Sequence, residues 1–224
     1  LFNIKIIMSF LKVTTCENVI IIFGKKKLSI PYIINQILIF GFFTCTKFFF
    51  MNVFLKKKLK NIFENISFID VTDGNENLIK IIRNKKIEYY GVSLSFPFKI
   101  APEILSIFDN KIINFDNSDL PNYRGLSPIF YQLNDKVKNF SFTIHFINNK
   151  IDRGRLIIQF FLLANKNLNS TTKILSAICK LQAEIVMMEG DKIFNYSHGI
   201  DIEHQGSYFS SPSLKTIISQ KLFI

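Results

Sequence analysis

From residue 61 onward the hydrophobic positions come in short runs separated by turn-rich polar clusters, the pattern of strands and helices in alternation. Ile66 to Val71 predicts a strand ending in Thr72, Asp73, Gly74 and Asn75; Glu76 to Arg83 predicts a helix, and Tyr89 to Leu94 a second strand. This succession reads as a βαβ layer. Pro102 to Phe108 fits a short helix opened by proline, whose missing N–H costs nothing in a first turn. Lys111 to Phe115 predicts a compact strand that delivers Asn114 and the polar cluster after it into a loop, and ligands of open α/β sheets collect at such strand ends. Further on, Pro128 to Leu133 begins a helix and Ser141 to Ile147 alternates as a strand. Asn148 to Gly154 makes a turn-rich link, Leu156 to Leu163 is a strand or the start of a helix, and Thr171 to Met188 is a long helix.

The first 60 residues fit this rhythm less well. Val19 to Phe23 is an apolar run closed by Gly24, a first buried strand, but KKKLSIP after it lacks the glycines of a dinucleotide fingerprint. Ile37 to Phe43 and Phe48 to Leu55 together approach membrane-spanning length, yet Lys47 stands between them and Thr44, Thr46 and Asn52 dilute them. A buried helix or strand is the expectation, and no secretory leader is recognised at the start.

Composition narrows the field. In 224 residues, 48% hydrophobic and 20% charged side chains suffice for one sizeable core and are too apolar for disorder. With 25 Phe in the chain, an aromatic alone carries little weight as a recognition signal. A formal charge of +11 makes anionic ligands electrostatically plausible, but Lys25 to Lys27 and Lys56 to Lys60 lie in no nucleic-acid motif, so no dedicated nucleic-acid partner is expected. Cys16, Cys45 and Cys179 fit neither a disulfide framework nor a C-x-x-C metal site, and His198 and His204 suggest no zinc.

Two clusters carry candidate chemistry: Asn114 to Gly125, reading NFDNSDLPNYRG, and IDRG at Ile151 to Gly154. An amide and a carboxylate two residues apart after a strand can orient and deprotonate a nucleophile if folding adds a second carboxylate, although such Asn, Asp, Pro and Gly clusters also make ordinary turns. The stretches INFDNSDLPNYRGLSP and FSFTIHFINNKIDRG together resemble the catalytic core of the formyltetrahydrofolate-dependent formyltransferases. Asn114 matches the Asn of their Asn-x-His. Ser118 and Leu120 to Gly125 match the Ser-x-Leu-Pro-x-Tyr-Arg-Gly loop, Thr143 and His145 match a common strand pattern, and Asp152 with Gly154 matches the final Asp-x-Gly. The resemblance is clearest from about Tyr90 to Ile158 and weaker to Pro212.

The resemblance implies a three-layer α/β core with a mainly parallel twisted sheet. It implies 10-formyltetrahydrofolate as cofactor and a primary amine of a small, anionic molecule as acceptor. Asn114 would polarise the formyl oxygen and Asp152 would organise proton transfer, with Asp116 the third member of the catalytic set. Ser93, Phe96 and Pro97, in SLSFPFK, would form the folate-side loop, with Asn148 and Ile151 on the other wall. Ser118, Tyr123 and Arg124 would serve the acceptor, though each also reads as packing or turn stabilisation, as does His145. GSYFSSP, with Phe209, would lie on the acceptor side or make a plain turn.

The departure is Asp116, which stands where the family has histidine. Imidazole titrates at about 6.5 and can donate to an anionic intermediate, whereas an aspartate near about 3.9 is normally charged and repels it. Transfer is thus expected to be weak or altered, and the alternative is a catalytically inactive folate or nucleotide-sugar binding protein. One domain over residues 1 to 224, atypical over 1 to 60, is expected. A chain ending at Ile224 favours a glycinamide-ribonucleotide or nucleotide-sugar amine over methionyl-tRNA. A cytoplasmic home and no membrane partner are expected, with monomer and homodimer both left open.

Overall fold

The strict alternation of NFSFTIHF makes Asn139–Phe146 the strand around which the computed structural model is arranged. Structure is described for residues 2–13, 19–24, 29–46, 59, 61, 66–71, 75–83, 91–95, 99–195, 199–202 and 206–222. The strands are β1 (Val19–Gly24), β2 (Ile66–Val71), β3 (Gly91–Ser93), β4 (Ile112–Asp116), β5 (Arg124–Gly125), β6 (Asn139–Phe146), β7 (Leu156–Leu163) and β8 (Tyr208–Phe209). The helices are α1 (Phe2–Val13), α2 (Ile30–Phe40), α3 (Asn75–Arg83), α4 (Pro102–Ile107), α5 (Pro128–Asn134), α6 (Thr171–Glu189) and α7 (Leu214–Leu222), with a 3-10 helix at Gly190–Asn195. The expected elements from Ile66 onward are present with shifted ends, and Leu156 to Leu163 is a strand.

The central sheet has the order β3-β4-β6-β7. β3 and β4 are parallel, while β6 runs antiparallel to both β4 and β7. β1 with β2 and β5 with β8 are parallel pairs, so parallel pairing is the commoner kind among the described strands.

Side chains of a strand alternate between faces, and helices cover both faces of this sheet. Ile113 and Phe115 of β4 join Phe140, Phe142, Ile144 and Phe146 of β6 in the main core, closed by Ile6 of α1, Ile129 of α5 and Ile174, Ile178 and Val186 of α6. Ile112 packs on the opposite side with Leu78 and Ile82 of α3 and Ile104 and Leu105 of α4. Each such fully buried side chain contributes about 1.5–3 kcal/mol. The repeat of four from Ile174 through Ile178 to Val186 passes through Gln182, so a wholly buried amide interrupts the apolar stripe of α6. The Ser170 hydroxyl caps that helix by accepting from the Lys173 N–H at 3.4 Å.

Two features of the first 60 residues were not expected. α1 is part of the core: Ile6 is buried, and the Phe10 ring meets Phe115 edge to face at 5.6 Å between centroids. The apolar run beginning at Ile37 lies at the end of a helix rather than in a buried element, for none of the residues of α2 is buried and Ile30 and Phe43 are 74% and 85% exposed. The reason is its neighbours. Among the described elements α2 packs chiefly on α7 and α6, and Gly41 ends it. Phe48 to Leu55 lies outside the described residues, among which no helix is long and apolar enough to cross a membrane.

Candidate active site

The polar residues of β4 and β6 share the face opposite the main core. Asn114 pairs across the sheet with His145 and with Ser93, and Asp116 pairs with Thr143. Directly opposed residues point to the same side, so the carboxyl end of β4 gathers an amide, a carboxylate, two hydroxyls and an imidazole.

The loop after β4 is strapped to this face from four directions. Thr143 donates its hydroxyl to the Ser118 carbonyl at 2.8 Å and accepts from the Leu120 N–H at 3.4 Å. Gln159 of β7 donates its amide to the Asp119 carboxylate and the Leu120 carbonyl, both at 3.0 Å. Gln132 of α5 donates to the Asn117 carbonyl at 3.4 Å and accepts from the Ser141 N–H at 3.1 Å. Gln182, the amide in the stripe of α6, donates to the Asn117 side-chain oxygen at 3.2 Å. Buried polar groups partnered in this way fix one geometry, because each lost bond would strand a desolvated group.

The turn between β6 and β7 brings the second carboxylate. Asn148 donates to the Arg153 carbonyl at 2.8 Å and accepts from the Lys150 N–H at 2.9 Å, a side-chain turn of the kind asparagine favours. Gly154 follows, where any Cβ would run into the Phe146 carbonyl oxygen. Asp152, held at φ 51°, accepts from the Gly125 N–H at 2.9 Å and so joins this turn to the loop after β4. Gly125 sits at φ 100° with the Phe209 carbonyl against its Cα, a position only glycine fills without strain.

Asp116, His145 and Asp152 thus converge, each offering a ligand atom within 4.8 Å of the others. His145 is 2% exposed. Its Nδ1 donates to the Phe146 carbonyl at 2.8 Å, which leaves Nε2 to accept from the Asn114 amide at 3.2 Å. Burial pushes this imidazole toward its neutral form, against the opposing pull of the Phe146 carbonyl and of Asp152. The Asp116 carboxyl is held well above the ordinary carboxylate range, first by desolvation and then by the charge of Asp152.

The other candidates are placed as follows. Ser93 ends β3 beside Asn114 and is buried. Ser118 is wholly buried beneath the loop, whereas Ile151 is 48% exposed at the tip of the β6–β7 turn. Arg124 is buried and reaches the Gly206 carbonyl at 3.5 Å. Tyr123 stacks on Phe209 at 5.4 Å and donates to Asp135 at 2.9 Å; desolvation and then this bond push its phenol up to about 12. The GSYFSSP segment therefore backs the Tyr-Arg-Gly loop, as β8 paired with β5. Phe96, Pro97, His198 and His204 lie outside the described residues. Sequence reasoning missed the three glutamines and gave His145 no firm role. The available signal was the alternation Ser141, Thr143, His145 on the face of β6 that turns away from its phenylalanines.

The sequence profile of the family described as Formyl transferase matches residues 55–188, more than half of the chain. The chain belongs to this family. Among its relatives, a formyltetrahydrofolate deformylase of Haemophilus influenzae is 32% identical over 94 residues, 38% of this chain and 34% of that protein. A methionyl-tRNA formyltransferase of Syntrophomonas wolfei is 32% identical over 120 residues, 51% of this chain and 38% of that protein. The chain thus spans little more than a third of these curated relatives. The fold is shared with a formyltransferase of Anoxybacillus kamchatkensis solved with a UDP-linked formamido sugar and tetrahydrofolate, at a TM-score of 0.54 and 20% identity over 86% of each chain. In this formyl transferase family member Asp116 sits in the matched segment, at the end of β4 and beside Asp152.

Proposed function

We propose that the chain transfers a formyl group from 10-formyltetrahydrofolate to a primary amine of a small phosphorylated or nucleotide-linked molecule, in a single domain atypical over residues 1 to 60. The observation that carries this reading is the convergence of Asp116 and Asp152 with His145, to which Asn114 is hydrogen-bonded, at the carboxyl end of β4. The amine nitrogen bonds to the formyl carbon, the bond to the folate nitrogen breaks, the folate nitrogen takes up a proton and the amine loses one. Asn114 stabilises the oxyanion by donating its amide, and Asp152 moves the proton. Asp116 answers for histidine by being held protonated, since a neutral carboxyl donates a hydrogen bond where a carboxylate repels. Ser93, Asn148 and Ile151, with Phe96 and Pro97, take the folate side. Ser118, Tyr123 and Arg124 shape the acceptor side, and the charge of +11 draws in the anionic acceptor. A cytoplasmic home follows from that chemistry.

The test is calorimetric titration with a hydrolysis-resistant 10-formyltetrahydrofolate analogue, beside Asp116→His and a polyphosphate control, followed by amine-dependent formyl transfer. Saturable binding with transfer supports the reading, and formate release without an amine would make water the acceptor. The same substitution motivates a second reading, an inactive descendant that binds folate or a nucleotide sugar; binding without transfer or hydrolysis selects it. Absence of binding by both well-folded forms would remove the cofactor from both readings.

A further inference from the structure

We propose that Asp116, Asp152 and His145 form a binding site for one divalent transition-metal cation. The proposal rests on the placement of these three side chains and not on formyl transfer. Two carboxylates and an imidazole offer ligand atoms within 4.8 Å of one another at the mouth of a fixed loop. Bonds of roughly 2.0–2.2 Å to a tetrahedral ion put neighbouring ligand atoms about 3.4 Å apart, so the trio has to close by an ångström or so, within reach of side-chain rotation.

The imidazole is already in the form a metal requires. Its Nδ1 donates to the Phe146 backbone carbonyl, the outer contact that fixes metal-binding histidines, and its Nε2 lone pair is turned to the Asn114 amide on the site face. A second observation concerns the support of Asp116. The Ser118 hydroxyl is wholly buried and has no hydrogen-bond partner among the described residues, yet it lies close enough to the Asp116 carboxyl to favour its ionised form. Such a hydroxyl is suited to support a metal-bound carboxylate. No ion pair among the described residues engages either carboxylate. Metal ligands have to be deprotonated, so a cation that enters releases any proton the site holds. One imidazole nitrogen with two carboxylate oxygens suits Zn²⁺ or Mn²⁺ over Mg²⁺, which holds its waters more firmly.

The experiment titrates chelator-treated protein, free of any polyhistidine tag, with Zn²⁺ and Mn²⁺ in a non-coordinating buffer, with Mg²⁺ as control and Co²⁺ absorption as a direct view of the ligands. The expected result is one saturable equivalent, proton release, a rise in Tm and a Co²⁺ spectrum of mixed nitrogen and oxygen ligation. Asp116→Leu should weaken binding at least about 100-fold, while Asp116→His, which supplies another ligand, should retain it within about 10-fold. Absence of a saturable equivalent in the unmodified protein overturns the proposal whatever the variants do. Binding that Asp116→Leu leaves unchanged overturns it too, by placing the metal elsewhere. Because no folate is present, these outcomes stand apart from the success or failure of formyl transfer.

Discussion

The two ends of the molecule bury opposite things. At the carboxyl end of β4, polar groups are taken out of water and partnered: Thr143, Gln132 and Gln182 are at most 1% exposed and each bonds to the loop from Asn117 to Leu120. In and just after α2, and in α7, apolar groups are left in water, with Ile30, Ile33, Ile34, Phe43, Leu214 and Ile218 all at least 41% exposed. A buried polar group is costly unless it is hydrogen-bonded, whereas an exposed apolar side chain needs no partner, so the first end is where the fold is most exacting and substitutions should be felt most.

The largest effect expected is chemical. Asn114→Ala should lower formyl transfer by about 10²–10³-fold, the usual cost of one oxyanion donor, with the fold retained because Asn114 is only half-buried. Single-turnover transfer beside a circular-dichroism melt checks this, and unchanged transfer would remove Asn114 from its proposed role. Next comes Gly154→Ala, which drives a methyl into the Phe146 carbonyl and should cost about 3 kcal/mol in urea unfolding. Gln159→Leu leaves the Leu120 carbonyl and the Asp119 carboxylate without their donor and should cost about 1–3 kcal/mol. If it costs nothing, the strapping of this loop does not bear on stability.

What the sequence made legible follows the same division. The strands and helices from Ile66 onward were readable because one face of each is apolar and turn residues punctuate them, and the motif resemblance singled out Asn114, Asp116 and Asp152, which the fold brings to one place. The straps were not. Gln132, Gln159 and Gln182 come from three elements far apart in sequence, and a lone glutamine in an apolar helix gives no sign that it will meet Asn117. α2 misled for the opposite reason, since a wholly apolar run says bury me without saying whether a partner exists. α1 carried a helical face in Ile6, Phe10 and Val13 that was overlooked beside the irregular region following it.

A pH series sharpens the comparison from the site end. The Asp116 carboxyl is raised on folding, so the folded chain binds its proton more tightly than the unfolded one. Its contribution is therefore fully present below the ordinary carboxylate pKa and is lost as pH rises through the raised value. Asp116→Asn removes that slope. Stability of the variant should exceed the parent by roughly 1 kcal/mol at neutral pH, the common size of a single-site effect, and the two should converge in acid. Equal slopes in denaturant unfolding across pH would contradict the assignment.

The smallest effect is expected at the other end. Phe43→Ser and Ile30→Ser replace side chains that are 85% and 74% exposed, and neither makes a core contact among the described residues. Surface positions of this kind usually move stability by no more than about 0.5 kcal/mol, and removing exposed apolar area reduces association between molecules. The double variant should melt with the parent and remain dispersed to higher concentration by light scattering. A loss near that of Gln159→Leu would mean that α2 is covered in solution, and that the contrast between the two ends belongs to the isolated chain rather than to the assembled protein.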